Sequence, residues 1–189
     1  MFFLNSILMG VGLAMDAFSV SMANGLNEPK MKAGKENLIA GTFGFFQALM
    51  PMLGWVCVHT IINIFKSFEK WIPWIALILL LYIGGKMLIE GIKNKDGETE
   101  APAVGFGALM IQAVATSIDA LSVGFTISDY NWKMALVESL IIAVVTYAIS
   151  MAGLKIGKIA GTKLSGKANI LGGIILIAIG VEIWLKAML

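Results

Sequence analysis

The chain has 189 residues, 58% of them hydrophobic and 14% charged, with a mean hydropathy of +0.86 and a formal net charge of +2. That balance excludes a water-soluble globular domain and points to the lipid bilayer as solvent and partner. The small charge gives no footing for a nucleic acid, and the single cysteine, Cys57, excludes an internal disulfide or a paired-thiol carrier.

Windows of about 20 residues predict six membrane spans, at 2–25, 38–62, 71–92, 104–127, 132–156 and 168–185. The expected fold is an all-α integral membrane protein. The first span is expected to be retained, because no lysine precedes Lys30 and the apolar run is too long for a cleaved leader. It carries Met15-Asp16-Ala17-Phe18-Ser19-Val20, and Gly12, Asp16, Ser19 and Ala23 recur at helical steps as a face of small or polar residues. An ionised carboxylate at the centre of a membrane helix costs about 2.5–3.5 kcal/mol on insertion scales, so an acid there marks a functional site.

The second span holds Gln47 four residues before Pro51, and a mid-span proline leaves the carbonyl at position 47 without its usual donor. His59 stands near its end without a second histidine, which is no metal-binding pattern. The third span ends Ile83-Gly84-Gly85-Lys86-Met87, with Lys86 and Glu90 spaced to pair along the helix. The stretch 93–103 then forms the longest expected loop, too short for a soluble catalytic or nucleotide-binding domain.

The fourth span repeats the wording of the first, with Ile118-Asp119-Ala120-Leu121-Ser122-Val123 at an offset of 103 residues. Ala115, Asp119, Ser122 and Thr126 share its polar face, preceded by Gln112 and Thr116. The fifth carries Thr146 and Ser150 where the second has Gln47 and Pro51, and Met151-Ala152-Gly153 answers Met52-Leu53-Gly54 at offset 99. Glu138 stands toward one end of the fifth span and Glu182 toward one end of the sixth, where snorkelling charges are ordinary. Ile179-Gly180-Val181-Glu182-Ile183 answers the close of the third span at offset 96.

The chain therefore reads as one unit written twice: 1–92 as a first three-helix repeat, 93–103 as a cytoplasmic linker and 104–189 as a second repeat. Three spans per unit is an odd number, so the two copies cross the membrane in opposite senses. Inverted repeats of this kind build many secondary transporters, with substrate sites at the repeat interface near the midplane. Opposed crossings bring Asp16 and Asp119 close to the bilayer centre, where each can face the other.

Lysine placement sets the orientation. With both termini outside, the cytoplasmic loops hold Lys30, Lys32, Lys35, Lys93, Lys95, Lys155, Lys158, Lys163 and Lys167, against Lys66, Lys70, Lys133 and Lys186 on the other side.

Two carboxylates among hydroxyls and carbonyls suit a hard or borderline divalent cation, protons, or both in turn. The expected metal-binding residues are Asp16 and Asp119, with Ser19, Ser122, Gln47 and Thr146 as secondary ligands. No permanently bound cofactor is expected. An intramembrane aspartyl protease also uses two aspartates, but its Gly-x-Gly-Asp signature is absent from Leu13-Ala14-Met15-Asp16 and Thr116-Ser117-Ile118-Asp119. The protein is expected to be a transporter and no enzyme.

The runs 15–25 and 117–124, with Gly84-Gly85-Lys86-Met87-Leu88-Ile89-Glu90-Gly91, resemble the MntP-type manganese efflux pumps of bacteria, grouped with the LysE-like exporters. The resemblance spans nearly the whole chain. It implies Mn²⁺ as transported substrate, efflux across the bacterial cytoplasmic membrane, and a need for the membrane aspartates, here Asp16 and Asp119. No phosphate-binding loop is present, so ion gradients are the expected driving force, with protons exchanged for metal. Alternatives are export of another divalent metal such as Fe²⁺, Co²⁺ or Cd²⁺, or of a small solute such as an amino acid.

Overall fold

A computed structural model describes residues 2–60, 72–93, 104–164 and 168–188. The expected linker 93–103, apart from Lys93, and the loop holding Lys66 and Lys70 lie outside these residues. The described chain is helical: α1 Phe2–Asn27, α2 Ala33–Thr60, α3 Ile72–Lys93, α4 Phe106–Thr116, α5 Ile118–Thr126, α6 Trp132–Leu164 and α7 Ala168–Met188. In lipid a backbone must satisfy its own polar groups, which a helix does along its whole length. Among the described residues four stretches are long and apolar enough to cross a membrane: Phe2–Asn27, Ala33–His59, Phe106–Thr126 and Trp132–Gly161. The third of these is the α4–α5 pair, and α7 contributes the shorter apolar stretch Ile170–Glu182.

Two boundaries differ from the sequence expectation. The fifth span does not stop at 156: α6 continues to Leu164, because Gly157 and Gly161 lie against α1 and the turn that follows it. The fourth span is not one helix but two, broken at Ser117. The proline of the second span, by contrast, leaves α2 unbroken.

The principal partner of α1 is α6, of α3 is α7, and of α5 is α2, while α2 also packs on α6. Glycines set three of these crossings. A Cβ on Gly157 would fall 3.0 Å from Gly25 Cα, and one on Gly25 would fall 3.1 Å from Gly157 Cα. Gly54 and Gly124 meet in the same way between α2 and α5, and Gly84 and Gly173 between α3 and α7. Such small residues let backbones approach where lipid supplies no hydrophobic drive for helix association.

The same contacts give the helix directions. Gly10 lies against Ile142, Gly153 against Phe18 and Gly157 against Met22, so α1 and α6 run parallel. Gly54 lies against Leu121, and Trp55 Nε1 donates to the Tyr130 carbonyl at 2.9 Å, so α2 and α5 run parallel. Gly44 lies against Ala143 while Tyr147 donates to Asn37 at 2.6 Å, so α2 and α6 are antiparallel. The α1 and α5 segments that carry the two aspartates are therefore opposed. The main core joins α1 to the rest of the bundle through Ala17, Val20 and Ala23 of α1, Ile39 and Phe43 of α2, Leu109 and Ala113 of α4, and Leu154, Leu176 and Ile179, with Ile118 at the start of α5 packed against it.

Candidate functional site

Asp16 sits on the edge of the buried face of α1. Leu13, Ala14, Ala17 and Val20 are buried around it, and the carboxylate residue itself is half-buried. One turn earlier, a Cβ on Gly12 would meet nothing within 4 Å among the described residues. Ser19 donates to the Met15 carbonyl of its own helix at 3.1 Å. Its hydroxyl proton is thereby used, and only lone pairs remain for a cation.

Asp119 stands differently, although the sequence around it is nearly the same. Thr116 donates to the Gln112 carbonyl at 2.9 Å and Ser117 to the Ala113 carbonyl at 2.7 Å. Ser117 itself has φ −111° and ψ 5°, outside the helical region. Side-chain hydroxyls that bond back in this way bend helices. The matching positions on α1 are Leu13 and Ala14, which have no hydroxyl, and α1 runs straight through. Asp119 consequently lies in the first turn of α5, where its Oδ1 accepts the Ala120 N–H at 2.9 Å. A negative charge is favoured at a helix N-terminus. Asp119 and Ser122 are exposed. The Thr116-Ser117 doublet was the available signal for the break.

The turns bearing the two aspartates meet through apolar neighbours. Leu13 and Ala120 share one buried cluster with Ile142, flanked by Met9, Met50 and Val123. Gln47, 1% exposed, donates to the Leu13 carbonyl at 2.8 Å and so ties α2 to the turn ahead of Asp16. Thr146 is buried on α6 with no hydrogen-bond partner for its hydroxyl, and the same holds for Ser150 and Ser21. Ser21 lies against Gly153, one turn from Ser150, so these three hydroxyls line the α1–α6 seam. Buried polar atoms without partners are rare and mark sites for water or an ion.

Three further polar features were missed or misplaced by sequence reasoning. Asn24 and Gln112 exchange two hydrogen bonds, at 2.8 and 3.2 Å, between α1 and α4. Glu138, expected to snorkel, is 3% exposed and has one carboxylate oxygen without a partner, because it lies on the face of α6 that includes Ile142. Lys158 reaches from α6 to the Met31 carbonyl at 2.7 Å and to Glu36, while Lys35 pairs with Glu28 at 2.5 Å. His59 stacks on Trp55 at 4.1 Å and bonds its carbonyl. Among the described residues no three His, Cys, Asp or Glu side chains gather as a metal cluster.

Residues 30–184 match the family described as "Putative manganese efflux pump". The chain belongs to the MntP family. An MntP relative from Sorangium cellulosum is 41% identical over 185 residues, covering 95% of this chain and 94% of its own. One from Methanosarcina mazei is 40% identical over 188 residues, covering 100% and 98%, and one from Clostridium botulinum strain Hall is 40% identical over 195 residues, covering 95% and 92%. All three carry the name putative manganese efflux pump, which describes transporters and no enzyme. No solved structure matches the chain.

Proposed function

We propose that the protein is a secondary exporter of Mn²⁺ that uses Asp16 and Asp119 as the ion-binding pair, with Ser19, Ser122, Gln47 and Thr146 as supporting oxygens. The observation that carries this reading is the acid written twice on membrane helices of an MntP chain. Six spans form two inverted repeats, 1–92 and 104–189, joined by the linker 93–103. Packing supports the repeat. Gly54 lies against Leu121 and Gly124, and Gly153 lies against Phe18 and Ser21. At offsets of 99 and 103 these are the same contacts made a second time, in the other half. Gly44 against Ala143, themselves 99 apart, falls where the pseudo-two-fold axis would pass.

Rocking of one half against the other exposes the ion to each side in turn. The break at Ser117 gives α5 a free helix end beside the site, a device that transporters use near the midplane. Both termini lie outside, in the bacterial cytoplasmic membrane. Expelling a dication against 100 mV costs about 4.6 kcal/mol, and exchange for two protons offsets it. Carboxylates that release metal outside and take up protons there couple the two flows.

The test is intracellular manganese and growth in high-manganese medium in an exporter-deficient strain carrying wild type, Asp16→Asn or Asp119→Asn. Wild type lowers cell manganese; the two variants, at equal membrane abundance, do not. Normal export by both variants would make the aspartates structural. Unchanged manganese with wild type would move the cargo to another metal or a small solute.

A further inference from the structure

We propose that the Asn24–Gln112 amide pair is the latch of the cytoplasmic gate, an element present on one side of the carrier only. This rests on the exporter reading above for its place in a cycle, though not for its geometry. The two side chains are 1% and 0% exposed, and each amide both donates to and accepts from the other, at 2.8 and 3.2 Å. They come from positions 88 apart and join α1 of the first repeat to α4 of the second. Two buried primary amides satisfied chiefly by each other form a discrete contact that is either made or broken.

Its position suits a gate. Asn24 lies two turns beyond Asp16 toward the lysine-bearing end of the bundle, and Gln112 precedes Asp119 by two turns on the opposed α4–α5 span. Both therefore sit between the aspartates and that end. The other ties of α1, α2 and α6 gather there too: the Gly25–Gly157 crossing, Lys158 to the Met31 carbonyl, and Lys158 to Glu36. Asp119, by contrast, is exposed and Asp16 is half-buried. The bundle is closed on the latch side of the aspartates.

The repeat makes the asymmetry plain. At offset 103 Gln112 corresponds to Met9, and Asn24 to Ile127. Neither offers a side-chain hydrogen bond. Between α1 and the α4–α5 span, the positions on the outer side that match the amide pair are therefore apolar and carry no directional bond; the outer tie from Trp55 Nε1 to the Tyr130 carbonyl joins α2 to the α5–α6 turn instead. Closure on the cytoplasmic side carries two directional bonds in addition, which must break before metal enters from the cytoplasm. An amide pair parted in the open state also presents two carbonyl oxygens to an entering hydrated cation, ligands that Mn²⁺ accepts.

The experiment reads gate opening without reference to manganese. In a Cys57→Ser background, Ala23→Cys places a thiol at a buried position beside Asn24. A membrane-impermeant maleimide is added to the lysine-bearing face in everted vesicles, and to the other face in right-side-out vesicles. Gln112→Leu, by removing both bonds, is expected to speed labelling from the lysine-bearing face about tenfold. The exchange Asn24→Gln with Gln112→Asn restores slow labelling. An unchanged rate in Gln112→Leu, or equal acceleration from both faces, would overturn the latch. A second measurement uses Asn24→Cys with Gln112→Cys. A short bis-methanethiosulfonate linker, which spans the longer separation of an amide pair, joins the two thiols; cross-linking stops manganese uptake into everted vesicles and reduction restores it, whereas unchanged uptake while cross-linked would overturn the latch. If labelling follows the expected pattern but wild type moves no manganese, the exporter reading fails and the latch stands.

Discussion

Gly157→Ala tests one of the close glycine crossings of the bundle. The added methyl would meet Gly25 Cα at 3.0 Å, Leu26 N at 3.0 Å and, closer still, the Met22 carbonyl oxygen. All three are backbone atoms, so none can swing aside as a side chain would. Restoring ordinary contact parts α1 from α6 by about 0.5–1 Å, which forfeits a quarter to a half of each affected dispersion well. Overpacking of this kind costs about 1–3 kcal/mol. For a chain of this size each kcal/mol corresponds to about 2–4 °C in Tm, so thermal unfolding in detergent should fall by roughly 2–12 °C. Gly41→Ala is the control: it lies within α2 with nothing within 4 Å of its Cβ, and helix propensity favours alanine by about 0.8–1 kcal/mol. If Gly157→Ala melts at or above the Gly41→Ala protein, the backbone contact inferred between α1 and α6 is wrong.

Lys158→Met leaves Glu36, 6% exposed, without its ammonium partner and frees the Met31 carbonyl; it should destabilise by about 1–3 kcal/mol, and Lys158→Met with Glu36→Gln should recover much of the loss in the same melt. Glu138→Gln removes a buried acid while keeping its shape, so Tm should hold or rise, whereas Glu138→Ala should fall by the cavity it leaves. Trp55→Phe deletes the bond to the Tyr130 carbonyl and should lower stability by about 0.5–1.5 kcal/mol. A Trp55→Phe protein as stable as wild type would show that this tie contributes nothing to holding α2 on the α5–α6 turn.

Much of the architecture was legible in the sequence because the bilayer makes it so. A run of about 20 apolar residues must be helical in lipid, and α1, α2, α3, α6 and α7 each appear where the apolar runs lie. The doubled Asp-Ala-x-Ser wording singled out Asp16 and Asp119 as candidates because a costly residue in lipid is informative wherever it appears. Apolarity carries no information on which helix faces which. That α1 prefers α6, and α5 prefers α2, was settled by glycines whose partners lie in the other half of the chain: Gly25 with Gly157, Gly54 with Gly124. The end of α6 was misread for the same reason, since 157–164 looks like a loop until α1 and its following turn lie against Gly157 and Gly161.

Around the site the division is similar. Residue type put Asp16, Asp119 and Gln47 forward as candidates, but only the fold decided what each side chain does. Ser19 bonds its own helix, Gln47 reaches the Leu13 carbonyl, and Thr146 keeps an unpartnered hydroxyl. Two nearly identical motifs became different structures because Thr116 and Ser117 take backbone carbonyls where Leu13 and Ala14 have nothing to offer them. Asn24 and Gln112 are unremarkable as letters, and Glu138 looks like an ordinary charge near a span end. Hydrogen-bond partnership and burial depend on helix rotation and on neighbours distant in the chain. The sequence by itself determined that helices form and which acids stand out as candidates; tertiary packing alone determined which polar groups meet and which are left without a partner.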